Sequence, residues 1–165
     1  MKIHALELVV ALALTIASIS SFAKGASASD IMVMDASAGK SLTPVATSAS
    51  VYVTIMNHGA TSQTLQAVTT NRAEHATIHQ NVDKDGVISM QELETLVIAP
   101  MQTVNMKAEG LHIMLTGLKS PLRVGETVKL QLQFGAADII AVDAVVGDLP
   151  VGSHNAKDHV NTTVD

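Results

Sequence analysis

The sequence has no cysteine and no tryptophan, one tyrosine and two phenylalanines, and only 15% charged residues. Each shortage closes off a class of function. Without cysteine there is no disulfide framework, no thiolate metal site and no sulfur nucleophile. With so few aromatics there is no platform on which nucleic-acid bases stack. A net charge of −5 lacks the basic face that displaces counterions from a phosphate backbone, so nucleic acid is excluded as a partner. No apolar run reaches the roughly 20 residues of a membrane-spanning helix. There is no Gly-x-Ser-x-Gly elbow, no phosphate loop and no metal-bound water with a base beside it, so the chain does not read as an enzyme. What remains is a hydrophobic content of 47%, enough for a buried core and too much for general disorder.

The 165 residues allow one ordinary domain and an export signal. Met1-Lys2-Ile3-His4 is a short basic start, Leu8 to Ala17 an apolar run, and Ser21-Phe22-Ala23 a small-residue cleavage site. Residues 1–23 therefore read as a secretory signal peptide, with cleavage as late as residue 28 at Ala26-Ser27-Ala28. Its loss leaves a mature chain without a membrane span: a domain over 29–149 and a polar tail over 150–165.

From Ile31 the hydrophobic pattern has period two, the mark of half-buried strands. Val51, Val53 and Ile55 alternate with Tyr52, Thr54 and Met56, and Asn57-His58-Gly59 follows as a turn. Thr64 to Thr69 and Glu74 to Gln80 are two further strands. In Thr127 to Phe134, Val128, Leu130, Leu132 and Phe134 share one face. Ile139 to Val146 is apolar on both faces, as a central strand would be. Eight or nine short strands separated by turn signals predict an all-β antiparallel sandwich.

Methionine, at eight residues, is the one plentiful sulfur donor. In an oxidising compartment a thioether stays a neutral soft ligand where a thiol pair would close into a disulfide. Two methionines fall into a pattern with two histidines: His79, ten residues, Met90, twenty-one residues, then His112-Ile113-Met114. If Leu111, Ile113 and Leu115 enter the core, His112 and Met114 leave it together, about 7 Å apart along one strand face. With Ile78 inward, His79 and His75 point outward, but His75 lies about 13 Å further along and is too far to share an ion. Asp83-Lys84-Asp85-Gly86 has the composition of a hairpin turn. It sets His79 and Met90 directly opposite, or diagonal if the turn centres on Asp85-Gly86, within about 4.5–8 Å. Two imidazoles with two thioethers favour Cu(I) over zinc, magnesium or calcium, because thioether sulfur is soft. The predicted site is one Cu(I) per domain, held by His79, Met90, His112 and Met114.

With its flanking run Leu111-His112-Ile113-Met114-Leu115-Thr116-Gly117-Leu118-Lys119-Ser120-Pro121-Leu122, this spacing resembles the periplasmic copper chaperones called PCu(A)C. The resemblance extends from about Ile31 to Val146 and includes Val51 to Asn57 and Gly125 to Leu130. It implies a cupredoxin-like Greek-key β-sandwich, a periplasmic location and the same four ligands. It also implies delivery of copper toward the binuclear centre on subunit II of cytochrome c oxidase, alongside a Sco-type protein. The chain departs from the family in Ala108-Glu109-Gly110, where a proline–glycine turn is usual, and in the acidic turn between the first two ligands.

Residues 81–92, Asn-Val-Asp-Lys-Asp-Gly-Val-Ile-Ser-Met-Gln-Glu, carry a rival reading as a calcium-binding EF-hand loop in a secreted protein. Oxygen donors stand at positions 1, 3, 5, 9 and 12, with glycine at 6 and isoleucine at 8. That reading requires helices on both sides. In the tail, His154 and His159 with Asp158 between them offer a weak second site for Cu(II), a solvated tail being the simpler account. Met32, Met34, Met101 and Met106 are placed in core or edge packing, with a part in passing copper along as the alternative.

Overall fold

The computed structural model describes residues 30–135 and 138–148, and both the signal segment and the tail histidines lie outside them. The chain forms eleven strands: β1 (Ile31–Gly39), β2 (Ser48–Asn57), β3 (Gln63–Leu65), β4 (Ala67–Thr70), β5 (Ala73–Lys84), β6 (Val87–Leu93), β7 (Leu96–Ile98), β8 (Thr103–Asn105), β9 (Leu111–Leu118), β10 (Thr127–Gln133) and β11 (Ile139–Gly147). One large sheet runs β4-β10-β11-β1-β2-β9-β5-β6, with β8 joined to β2, and β3 and β7 form a separate pair. All pairings are antiparallel except β1 with β11, which run parallel. The sheet wraps so that one face of both halves meets in a single core, the cupredoxin-like sandwich that the resemblance implies.

The alternation read from the sequence is what fills that core. Val51, Val53 and Ile55 of β2, Ile113 and Leu115 of β9 and Val128, Leu130 and Leu132 of β10 are all buried. Burying each such side chain contributes about 1.5–3 kcal/mol, so the sheet has one inward register and no alternative. Asn57, fully buried at the end of β2, is satisfied all round. Its Nδ2 donates to the carbonyls of Thr61, Ile98 and Ala99, and its Oδ1 accepts the Gly59 N–H. At the opposite end Arg72 donates to Glu126 Oε2 at 2.9 Å, and this hydrogen bond holds the Glu126 carboxyl below its ordinary pKa.

Three expectations are corrected. Residues 64–69 are not one strand: Thr64 and Leu65 pair with β7, whereas Ala67 to Thr70 pair with β10. Between them the Gln66 N–H donates to the Gln133 carbonyl and turns the chain from one sheet to the other. Strand β11 does have a partner on each side, but only one face is covered, and Ile139 and Val145 are 53% and 56% exposed. The EF-hand reading fails on local structure. Residues 81–84 belong to β5 and 87–92 to β6, and neither flank is helical. Asp85 and Gly86, with φ of 56° and 81°, are the two central residues of a tight turn of the I′ kind. Asp83 spends a carboxylate oxygen on the Gly86 N–H at 2.8 Å rather than offering it to an ion.

Gly117 interrupts β9 with φ of 67°, and a Cβ there would sit 2.8 Å from the Cβ of Glu74. Gly117→Ala is expected to lower stability by about 1–3 kcal/mol from the backbone conformation alone. The check is a urea midpoint shifted down at unchanged m-value; an unshifted midpoint would show that the strand relaxes around the methyl.

Candidate metal centre

Three strands, β5, β6 and β9, set the four donors on one sheet face. His79 of β5 is the register partner of His112 on β9, and Thr77 is the partner of Met114. Across the hairpin, His79 faces Glu92 and Asn81 faces Met90. Side chains of register partners share a face, and residues two apart on a strand share it too. His79, His112, Met114 and Met90 therefore all stand on the side opposite Ile78 and Ile113.

The structure brings the two imidazoles together, with ring centroids 5.8 Å apart and planes tilted by 34°. Met114 occupies the position diagonal to His79 and lines a cleft of about 330 Å³ formed with Lys40, Leu42, Thr43 and Ser50. Met90 is diagonal to His79 on the other side, as a turn centred on Asp85-Gly86 requires, and is 58% exposed. Met90 and Met114 are thus separated by about 13 Å of rise along the strands, with β5 between them. Three donors lie at neighbouring positions; the fourth sits one rung out on the free hairpin. Ile88 shares the face of Met90 and is exposed as well. His75 faces Thr116 at the far end of the same row.

Parity is as expected, but exposure is not. His112 is only 4% exposed. Tyr52 covers it, ring centroids 6.3 Å apart, from the neighbouring β2. His112 Nδ1 lies 3.3 Å from the Gly110 carbonyl, which can only accept, so in the neutral ring Nδ1 carries the proton and Nε2 the lone pair. His79 Nε2 lies 2.8 Å from the Thr77 hydroxyl and 3.9 Å from Glu92 Oε2, while its Nδ1 is buried without a partner. Donation from Nε2–H to Thr77 leaves Nδ1 as a bare lone pair; the other tautomer would bury an N–H with nothing to accept it. Each ring so presents one unprotonated nitrogen, the form in which imidazole binds a metal. A soft cation fits this donor set. Nearby, Asn81 donates to the Ala108 carbonyl at 2.8 Å while its Oδ1 is buried and unpaired.

Thr77, Glu92 and Tyr52 are the participants that sequence reasoning missed. Period two alone puts Thr77 beside His79, so that signal was present. Tyr52 required knowledge that β2 lies next to β9. If Thr77 orients His79, Thr77→Val should weaken Cu(I) binding about 10- to 100-fold, the usual effect of losing an outer partner of a ligating histidine. The apo melting temperature should barely move. Competition with a Cu(I) chelator measures this, and unchanged affinity would remove Thr77 from the site.

The fold is that of known copper-binding domains. The copper-bound PCuAC domain of PmoF2 superposes with a TM-score of 0.61 at 19% identity, covering 72% of this chain and 93% of that one. Apo-DR1885 from Deinococcus radiodurans has a TM-score of 0.57 at 27% identity, covering 90% of this chain and 94% of its own, and its Cu(I) form has one of 0.56. In sequence, Lxx21020 of Leifsonia xyli subsp. xyli (strain CTCB07), named as a lipoprotein, is 30% identical over 104 residues, which are 62% of this chain. The chain spans 63% of that relative's length. The model of the LpqE-like family, also named for lipoproteins, matches residues 25–146, and the chain belongs to that family.

Proposed function

We propose that this domain is an exported Cu(I) carrier. It binds one ion through His79, His112 and Met114, with Met90 completing the set when the β5–β6 hairpin bends inward. The observation that carries the reading is the pair of adjacent imidazoles, each with a free ring nitrogen, flanked on one face by thioethers. The 27%-identical neighbour whose structure is a Cu(I) form supports it.

All four ligands are neutral, so the ion keeps its charge and is held less tightly than by thiolates. That suits transfer. An acceptor's ligand enters from the exposed hairpin side, displaces Met90 first, and leaves the better-buried histidines for last. The acceptor we favour is the binuclear copper centre of cytochrome c oxidase subunit II, with a Sco-type protein as intermediary. The location we favour is the periplasm or an equivalent envelope space, in keeping with the lipoprotein names of the family and its relative. Since the sequence has no cysteine, no residue in it offers the thiol for a sulfur-linked lipid.

X-ray absorption of the copper-loaded protein tests the ligand set. The expected first shell holds both nitrogen and sulfur scatterers, with the imidazole outer-shell pattern. A shell of light atoms alone would reject the thioethers, and with them the preference for Cu(I).

A further inference from the structure

Methionine usually fills cores, yet here the core takes almost none of it. Of the seven methionines among the described residues, only Met106, at 3% exposure, is buried. Two of the other six are Met90 and Met114. A further three, Met32, Met34 and Met56, form a separate group on β1 and β2. Met32 and Met56 are register partners, and Met34 is the partner of Thr54, two residues along from Met56. Directly opposed side chains have Cβ atoms about 4.5–5.5 Å apart and diagonal ones about 7–8 Å, within the reach of long side chains. All three stand on the face opposite the buried Ile31 and Ile55. Met32 is 48% exposed and the other two are half-buried.

None of the three belongs to the buried core or to the partly buried hydrophobics packed against it. The other residues in those rows are Thr54 and, across the β2–β8 pairing, Thr103 and Asn105, as on a water-facing sheet surface. Directly beyond the Met32–Met56 pair, the His58 N–H donates to the Asp30 carbonyl at 2.8 Å, so the strand ends are tied and the pair is held in register. On the other side the ladder slips between Met34 and Ser37, where Asp35 adopts φ of 49°. Bulges of this kind re-aim neighbouring side chains. This face is also the copper face. Tyr52, two residues from Thr54 on β2, is the residue packed against His112.

We propose that Met32, Met34 and Met56 form a second site for a soft monovalent cation, separate from the His79–His112 pair. Three neutral sulfurs on flexible unbranched arms can converge on one such ion, and they discriminate against zinc, calcium and magnesium by softness. Met34 and His112 flank β2 on opposite sides, about 12 Å apart from two strand spacings and a two-residue offset. The group is therefore a distinct station on the same surface. It does not depend on whether the histidines bind copper.

Silver(I) titration tests this, because Ag(I) shares the softness of Cu(I) and is redox-inert. The protein is labelled with ¹³C at the methionine methyls and its methyl spectrum is followed. The expected result is two equivalents bound, with the Met32, Met34 and Met56 methyls shifting together and Met106 unmoved. The triple variant Met32→Leu, Met34→Leu, Met56→Leu, close to volume-conserving, should bind one equivalent fewer while the Met114 methyl still responds. The double variant His79→Ala, His112→Ala should leave the response of the three methyls intact. If the three methyls stay in place at saturating silver while Met114 shifts, the second site is overturned and the primary one stands. If the three respond and Met90 and Met114 do not, the second site stands and the primary reading falls.

Discussion

Replacing His112 with alanine should lower Cu(I) affinity by more than about 100-fold, beyond the 10- to 100-fold typical of losing an outer-sphere partner. His112 is the best-buried donor of the four, held between Tyr52 and His79 with its Nδ1 on the Gly110 carbonyl. A ligand whose tautomer and ring plane are already set binds without further ordering. Alanine also empties a covered position, so the apo protein should lose stability as well. His112→Gln separates the two effects, because the amide refills much of the space and donates to Gly110 but offers no imidazole nitrogen. Copper affinity should fall in both variants, and the apo melting temperature chiefly in the alanine one. Anaerobic competition against a Cu(I) chelator, with calorimetry of the apo forms, gives both numbers. If both variants bind within about twofold of wild type, His112 is a packing residue and the centre lies elsewhere.

Within single strands the sequence was easy to read. The alternation in β2 and β10 reports its own inward face, because one residue of slip would turn every apolar side chain to water. Asp85-Gly86 is equally local, since few sequences other than Asn-Gly and Asp-Gly tolerate two successive positive φ values. What escaped was whatever depends on two distant strands becoming neighbours. The cover over His112 comes from Tyr52, sixty residues earlier, and no pattern around either residue encodes that pairing. Thr64-Leu65 and Ala67 to Thr70 have the same period, so nothing local says that they join different sheets. The exposed outer row of β11 misled for the same reason: Ile139 and Val145 look like core residues until the layer that would cover them proves absent among the described residues. At the candidate centre, spacing alone led to four donors on one face, but not to one imidazole being sealed while a thioether is left on a free hairpin.

The adjacent residues Ile113 and Met114 should give opposite phenotypes, and this contrast tests the strand face on which the centre is built. Ile113 is fully buried and pairs with Ile78 across the β5–β9 ladder. Ile113→Ala removes core methyls in a wrapped sheet with little room to collapse, so unfolding free energy should drop by about 2–5 kcal/mol. Its copper affinity, measured well below the lowered melting temperature, should stay close to wild type. Met114 points the other way, half-buried at the mouth of a cleft. Met114→Ala should cost clearly less stability than Ile113→Ala, about 1–2 kcal/mol, since its side chain stays partly open to water. Cu(I) affinity should fall at least about tenfold, or 1.4 kcal/mol, with the loss of a soft donor. Urea melts of the apo proteins and chelator competition, run on both variants, place each on two axes. A destabilised Met114→Ala with unchanged copper binding would make Met114 a packing residue like its neighbour. The face that gathers the two imidazoles would then carry no thioether from β9, and the preference for Cu(I) would rest on Met90 alone.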